Sequence, residues 1–285
     1  MIRNAMTVDV EDYFQVSAME PYIARSDWPK WPCFVEQNTD KLLQLFSDKS
    51  VQGTFFILGW VAQHYPQLVR RIAEQGHEIA CHGMDHTRVY HQTKEDFATD
   101  IRTSKALLEE VAGVNVRGYR AASYSITREN LWALDALESA GFAYSSSIYP
   151  VKHDLYGIPD APRSAFRPAR AKQLIEVPVT TAQLAGRNLP AGGGGFFRLF
   201  PYRFSRFLIN RVNRQDNMPA VFYLHPWEIH PEQPRPDGIN LKTRVRHYLN
   251  LEKTYSRLER LLSDFSWGRM DDIFLTRPTP VVNID

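Results

Sequence analysis

Ala5-Met6-Thr7-Val8-Asp9-Val10-Glu11-Asp12 is an apolar run that ends in three carboxylates within four residues. Ala5 to Val10 reads as a short buried strand, and the acids lie where it stops. Negative charges packed this closely destabilise one another unless a cation compensates. Strand alternation sets Asp9 and Glu11 on one face and Asp12 on the other, although the twist at a strand end can bring all three inward.

From that strand outward, strand-like and helix-like segments alternate. A helix is expected over residues 38–46, capped by Asn38 or Thr39. Thr54 to Leu58 and His77 to Cys81 read as core strands, separated by a helix from Pro66 that Gly76 closes. Helical spacing follows at Phe97, Ile101, Ser104 and Leu108, ending at Gly113. Short strands are expected at 117–120, 142–146, 174–177 and 220–224, with a helix capped by Thr127 among them. One long amphipathic helix closes the pattern, with Leu241, Val245, Tyr248, Tyr255, Leu258 and Leu262 on one face. Such alternation predicts an α/β fold: a single distorted (β/α) barrel of about seven strands, helices outside, and a C-terminal helical extension over 232–285. Gly192 to Gly195 lacks the Lys-Ser or Lys-Thr of a phosphate-binding loop and reads as a connector or a close backbone approach. Pro226 to Pro236 reads as a rigid surface turn.

The 285 residues carry a formal charge of only +2, so no global field draws the chain to nucleic acid. The basic cluster Arg163, Arg167, Arg170 and Lys172 reads as a solvated loop. Two cysteines, Cys33 and Cys81, make no disulfide framework, which points to a reduced compartment. Cys81 reads as a small buried strand-end residue. No apolar stretch is long enough to span a membrane, and the first residues already form a strand, so a cytoplasmic location is expected. No sequence signal speaks to oligomeric state.

The potential chemistry sits at strand ends. His82-Gly83-Met84-Asp85-His86 puts two imidazoles four residues apart just beyond a strand. Gly83 stands where a helical metallopeptidase motif has its glutamate, so the pair belongs to a loop rather than a helix. Two imidazoles and one carboxylate suit a divalent cation with an open position, Zn2+ by default, with Co2+, Ni2+ or Mn2+ compatible. The acidic cluster Asp9 to Asp12 is the nearest source of the carboxylate. Arg120, at another strand end, can hold a carboxylate ionised and oriented. His225, ending the apolar run Phe222-Tyr223-Leu224, suits a general acid.

Taken together, Thr7-Val8-Asp9, His82 with His86, Arg120 with Tyr124, and Leu224-His225 resemble, in order, the motifs of the polysaccharide deacetylases of carbohydrate esterase family 4 (the NodB homology domain). Asp9-Val10-Glu11-Asp12-Tyr13-Phe14, His153-Asp154-Leu155-Tyr156-Gly157 and His225-Pro226-Trp227-Glu228 are similar to the branch found with exosortase-linked exopolysaccharide loci. The resemblance implies one such domain over 1–285 and metal-dependent removal of N-acetyl groups from an oligo- or polysaccharide. It casts Asp9 as general base, Glu11 or Asp12 with His82 and His86 as metal ligands, and Arg120 as the residue that orients Asp9. The Tyr124 backbone amide would help bind the oxyanion, and His225 would be the acid. Aromatics such as Tyr124, Tyr149, Phe196, Phe197 and Trp227 are candidates to stack on sugar. Two departures stand out. Val10 replaces the second of the usual adjacent aspartates, and Ser145 replaces a common acidic residue, so a carboxylate tuning His225 must come from elsewhere, Asp154 being one option. Competing readings are an allantoinase-like cyclic amide hydrolase and an inactive metal-containing carbohydrate-binding module.

Overall fold

The computed structural model describes residues 2–153 and 156–284. Its strands are β1 Arg3–Val10, β2 Thr54–Ile57, β3 Glu78–Cys81, β4 Gly118–Tyr119, β5 Tyr144–Ser145, β6 Arg167–Pro168, β7 Ile175–Glu176, β8 Thr181–Leu184, β9 Arg187–Pro190, β10 Val221–Leu224, β11 Ser266–Gly268 and β12 Val281–Val282. The helices are α1 Val35–Asp48, α2 Gly59–His64, α3 Pro66–Glu74, α4 Lys94–Ala112, α5 Trp132–Ser139, α6 Gly194–Leu199, α7 Tyr202–Arg214, α8 Leu241–Tyr248, α9 Leu251–Asp264 and α10 Met270–Phe274.

Strands β10-β1-β2-β3-β4-β5-β7 lie side by side in one parallel sheet, with β11 also paired to β1. The sheet curls into a half-barrel with helices around it, the distorted (β/α) barrel expected from the alternation. β1 is buried from Asn4 to Val10, as a central parallel strand covered on both faces must be. Its register (Thr7 beside both Thr54 and Tyr223) fixes which ends align. The apolar layer between sheet and helices includes Leu42, Phe46, Val69, Phe97 and Leu134, all buried. Gly76 and Gly113 close α3 and α4 with φ of 79° and 68°, the left-handed caps their positions called for.

Three expectations need correction. Helix α1 starts at Val35, with Phe34 rather than Asn38 or Thr39 at its N-cap. The Asp12 carboxylate accepts the Phe34 N–H from outside the helix, and no local pattern carries such a cap. The long C-terminal helix is two: it breaks at Leu249, which is extended, and Asn250, which is left-handed at φ 52°. Buried Arg198 donates to the carbonyls of Arg246, His247 and Leu249, taking up the orphan acceptors of α8. In consequence the expected face is split: Leu258 and Leu262 are buried, but Leu241, Val245 and Tyr255 are exposed. Lastly, Pro226 to Ile229 is a buried 3-10 turn rather than a surface one.

The basic cluster, read as a solvated loop, is instead engaged within the chain, because nearby carboxylates and carbonyls pair with its guanidinium groups. Arg163 pairs with Asp216 at 2.6 Å, Arg170 with Asp135 at 3.0 Å, and Arg167 donates to the carbonyls of Lys172 and Gln173. Cys81 is buried at the end of β3 with its sulfur 3.1 Å from Ser104 Oγ.

Candidate active site

The carboxyl ends of β1, β3, β4 and β10 deliver Asp9, His82, Arg120 and His225 to one rim, where parallel α/β sheets form their sites. Glu11 follows β1, and the chain turns after β3 to bring His86 back beside His82. Positive φ at Gly83 (78°) and His86 (60°) makes that turn. A side chain at 83 would press on Asp100, whose carboxylate accepts the Met84 N–H at 2.7 Å.

One ligand atom from each of Glu11, His82 and His86 lies within 4.8 Å of the others, and all three residues are buried. His86 Nε2 is 2.9 Å from Glu11 Oε2. His82 Nδ1 is held 2.8 Å from the Arg120 carbonyl, which leaves Nε2 for the centre of the cluster. Burial alone would raise the Glu11 carboxyl, yet the imidazoles of His86, His225 and His82 bring it down to about 2. Burial drives His82 towards its neutral form. An ionised carboxylate and a neutral imidazole are the protonation states a cation requires, so the donor set fits a divalent ion.

Asp12 is not part of this cluster. Its carboxylate accepts from the backbone N–H of Tyr13 at 2.8 Å and from that of Phe34, on the opposite face from Glu11. Strict alternation along the chain governs here, and the inward twist does not occur.

Fully buried Arg120 donates to Asp9 Oδ1 at 2.5 Å and to Thr7 Oγ1 at 2.8 Å, and its Nη2 donates to Ser146 Oγ at 3.1 Å. Burial would depress the guanidinium, but the Asp9 charge outweighs it. Asp9 Oδ2 is 3.9 Å from His225 Nε2, and Glu11 Oε1 is 3.3 Å from the same nitrogen. The Tyr124 amide is placed differently from expectation: Ala122–Tyr124 is a 3-10 turn in which the Tyr124 N–H donates to the Ala121 carbonyl at 2.9 Å. Ser123 and Tyr124 both hold φ of 52°, a strained left-handed pair that locks this turn and commits the amide.

Sequence reasoning missed the partner of His225. Its Nδ1 lies 2.7 Å from Glu228 Oε1, and Glu228 Oε2 accepts from Arg198 Nε at 2.6 Å. Burial would lower the imidazole, but the Glu228 hydrogen bond, with the charges of Glu11, Glu228 and Asp9, raises it to about 9. Glu228, which burial would raise, is held at about 2 by Arg198 and His225. The usable signal was the i, i+3 spacing of His225 and Glu228, that of a capping box. Asp154 lies outside the described residues. Arg198 reaches inward because Gly193 and Gly194 let α6 begin against β10; a Cβ at Gly193 would sit 2.0 Å from the Tyr223 carbonyl oxygen.

Asp9, Glu11, His82, His86 and His225 line a cleft of about 530 Å³, within the range of small-ligand sites. Tyr124, Phe196 and Trp227 line it, whereas Tyr149 and Phe197 are buried in packing clusters. Trp227 is sandwiched between His225 and His247, with centroids at 5.3 and 4.2 Å.

Residues 27–144 match a family model described as polysaccharide deacetylase, and residues 146–275 match a domain of unknown function, DUF3473. Asp9 and Glu11 precede both segments. A chitooligosaccharide deacetylase of Sinorhizobium fredii is 30% identical over 129 residues, 45% of this chain and 55% of that protein. The chain spans no more than just over half the length of these curated relatives, 36 to 56% of three of them and 16% of a Listeria monocytogenes deacetylase. Among solved structures, a Mycobacterium smegmatis protein provisionally named a polysaccharide deacetylase superposes with TM-score 0.64 at 18% identity, over 99% of this chain and 94% of that one. PuuE allantoinase does so with TM-score 0.60 at 13% identity, over 94% and 87%. These two likenesses speak to the fold alone.

Proposed function

We propose, for a chain that belongs through residues 27–144 to the polysaccharide deacetylase family, that it is a metal-dependent hydrolase releasing acetate from an N-acetylated glycan. The observation that carries the reading is the Glu11–His82–His86 cluster standing beside the Arg120–Asp9 pair and His225 on one rim. Glu11, His82 and His86 would hold the ion, Zn2+ being the default. When bound, it supplies polarisation of the amide carbonyl and acidification of water.

The remaining steps belong to this chain's own side chains. Asp9, fixed by Arg120, takes the proton of the attacking water through its free Oδ2. His225, with Nδ1 tied to Glu228, points Nε2 into the cleft and protonates the departing amine. Without that proton the amine is a poor leaving group, and the intermediate reverts to amide. The committed Tyr124 amide is not available to the oxyanion while its turn stays closed. Tyr124 and Phe196 offer aromatic surface to a sugar ring, whereas both faces of Trp227 are covered by His225 and His247.

An extended glycan suits this cleft better than a small cyclic amide, because its wall runs out to solvent-exposed Leu199 and Val245. A role in exopolysaccharide assembly and a cytoplasmic location belong to the same reading. The free thiols of Cys33 and Cys81 support a reduced compartment.

Purified protein should carry about one divalent ion per chain. His82→Ala should lose both the ion and acetate release from N-acetylated oligosaccharides, and chelator should abolish the wild-type activity. Acetate release undiminished in ion-free protein would overturn the reading. Tight glycan binding without acetate release would favour the inactive module.

A further inference from the structure

The helix α8, Leu241-Lys242-Thr243-Arg244-Val245-Arg246-His247-Tyr248, stands at the lip of the cleft with its expected buried face turned outward. Leu241 is 76% exposed, and Val245, one turn on, is 50% exposed. Lys242, Arg244 and Arg246 are also exposed, and no acid lies on the helix. Leu199, 54% exposed at the end of α6, lines the same cleft as Val245, Arg246 and Phe196. Five of the seven exposed large hydrophobic residues among the described ones fall between Leu199 and Tyr255. Residues 196–260 hold 12 Lys and Arg against 6 Asp and Glu, an excess of six in a chain whose total is +2, so the remainder is net acidic.

Neither half of this pattern is explained by the reaction. A solvated helix needs no leucine left three-quarters in water, and a polyanionic glycan gains nothing from aliphatic side chains. A second copy of the chain would set cation against cation across a two-fold axis. Aliphatic side chains and cations together on one short helix are what an anionic lipid interface takes up: the methyl groups enter the acyl boundary and the cations meet the headgroups. Glu232 and Asp237, in the loop before α8, are exposed and precede the helix.

We propose that α8, with Leu199 beside it, docks the protein on the surface of an anionic bilayer, with the mouth of the cleft facing the lipid. Docking rests on this surface alone. That it presents the site to a glycan tethered to the bilayer rests additionally on the deacetylase reading.

Co-sedimentation of the full chain with phosphatidylcholine vesicles, with and without phosphatidylglycerol, tests it. The chain should bind the anionic vesicles, and added salt should weaken binding by screening. Leu241→Ser should weaken binding about tenfold, and the pair Lys242→Glu and Arg244→Glu by tenfold or more. None of these three side chains lines the cleft, so acetate release from a soluble N-acetylated oligosaccharide should be unchanged. Equal binding to neutral vesicles, no binding, or binding indifferent to the substitutions would overturn the proposal. So would a dimer in sedimentation velocity that Leu241→Ser dissociates, since α8 would then be a subunit interface. Vesicle binding of the expected kind by a chain that releases no acetate would leave docking standing and sink the deacetylase reading instead.

Discussion

Strand β3 ends in a buried ionisable group on both sides, and its two ends are built in opposite ways. At its start, Glu78 accepts from Thr54 Oγ1 at 2.6 Å, from Tyr144 Oη at 2.9 Å and from the Asp271 N–H at 3.1 Å. Asp271 in turn pairs with Arg117 and Arg269, so the network ties α10 under the sheet. Burial, then the Asp271 charge, holds Glu78 above the ordinary carboxylate range, while Arg269 and Arg117 hold Asp271 below it despite burial. Past the other end of the strand, His82 joins carboxylates pushed the opposite way, Glu11 and Glu228 each to about 2. Polar atoms there remain without partners: His86 Nδ1, Tyr124 Oη and Trp227 Nε1 are buried with no hydrogen bond. The lower network is closed and saturated, as a structural latch should be. The upper one keeps charge, unspent hydrogen-bonding capacity and an open cleft, which is how an arrangement poised for a ligand differs from one that only holds the fold.

Each end can be perturbed without the other, and the largest effect should come from the upper one. Glu11→Ala should lose the ion and all detectable acetate release, whereas Asp12→Ala should keep the ion, as metal analysis of the two purified variants would reveal. Next, Glu228→Gln should lower kcat about a hundredfold with KM little changed, because it disturbs His225, the proton donor of the proposed reaction, and not the walls of the cleft. A change confined to KM would place Glu228 in substrate binding.

The lower end should be read in stability. Glu78 has a raised pKa, so the folded chain binds more protons than the unfolded chain above the ordinary glutamate range. Stability should therefore fall as pH rises out of that range towards neutrality. The loss should be on the order of 1–3 kcal/mol, and Glu78→Gln should flatten it without touching ion content. Urea midpoints of the two proteins at mildly acid and mildly alkaline pH would test this; equal slopes would mean that Glu78 is ionised throughout. The smallest effect is expected at the link between the regions. Asp12→Ala should cost about 1–2 kcal/mol through the lost cap on α1, measured by the same denaturation at neutral pH.

How much of this was legible depends on the range of the interaction concerned. The alternation of short apolar runs with helical spacing gave the barrel and the rim, because strand ends in a parallel sheet all face one way. Asp9, His82, His86, Arg120 and His225 were accessible for the same reason: each lies at the end of an apolar strand or in the turn that follows it. Illegible were the contacts made across the fold. Asp12 caps a helix 22 residues on; Arg198 reaches 30 residues to Glu228 and about 50 to the end of α8. The amphipathic spacing from Leu241 to Leu262 is real, but the Arg198 side chain breaks the helix that would have used it.

By itself, then, the chain determined the order of strands and helices and the identities of the groups gathered at one rim, since periodicity and strand polarity are local properties of a polymer in water. Only the tertiary structure set Glu11 rather than Asp12 beside His82 and His86, supplied Glu228 as the partner of His225, committed the Tyr124 amide to a turn, and turned Leu241 and Val245 to solvent. Those outcomes depend on which distant donors and acceptors meet once burial makes an unpaired polar group costly, and no window of neighbouring residues contains that information.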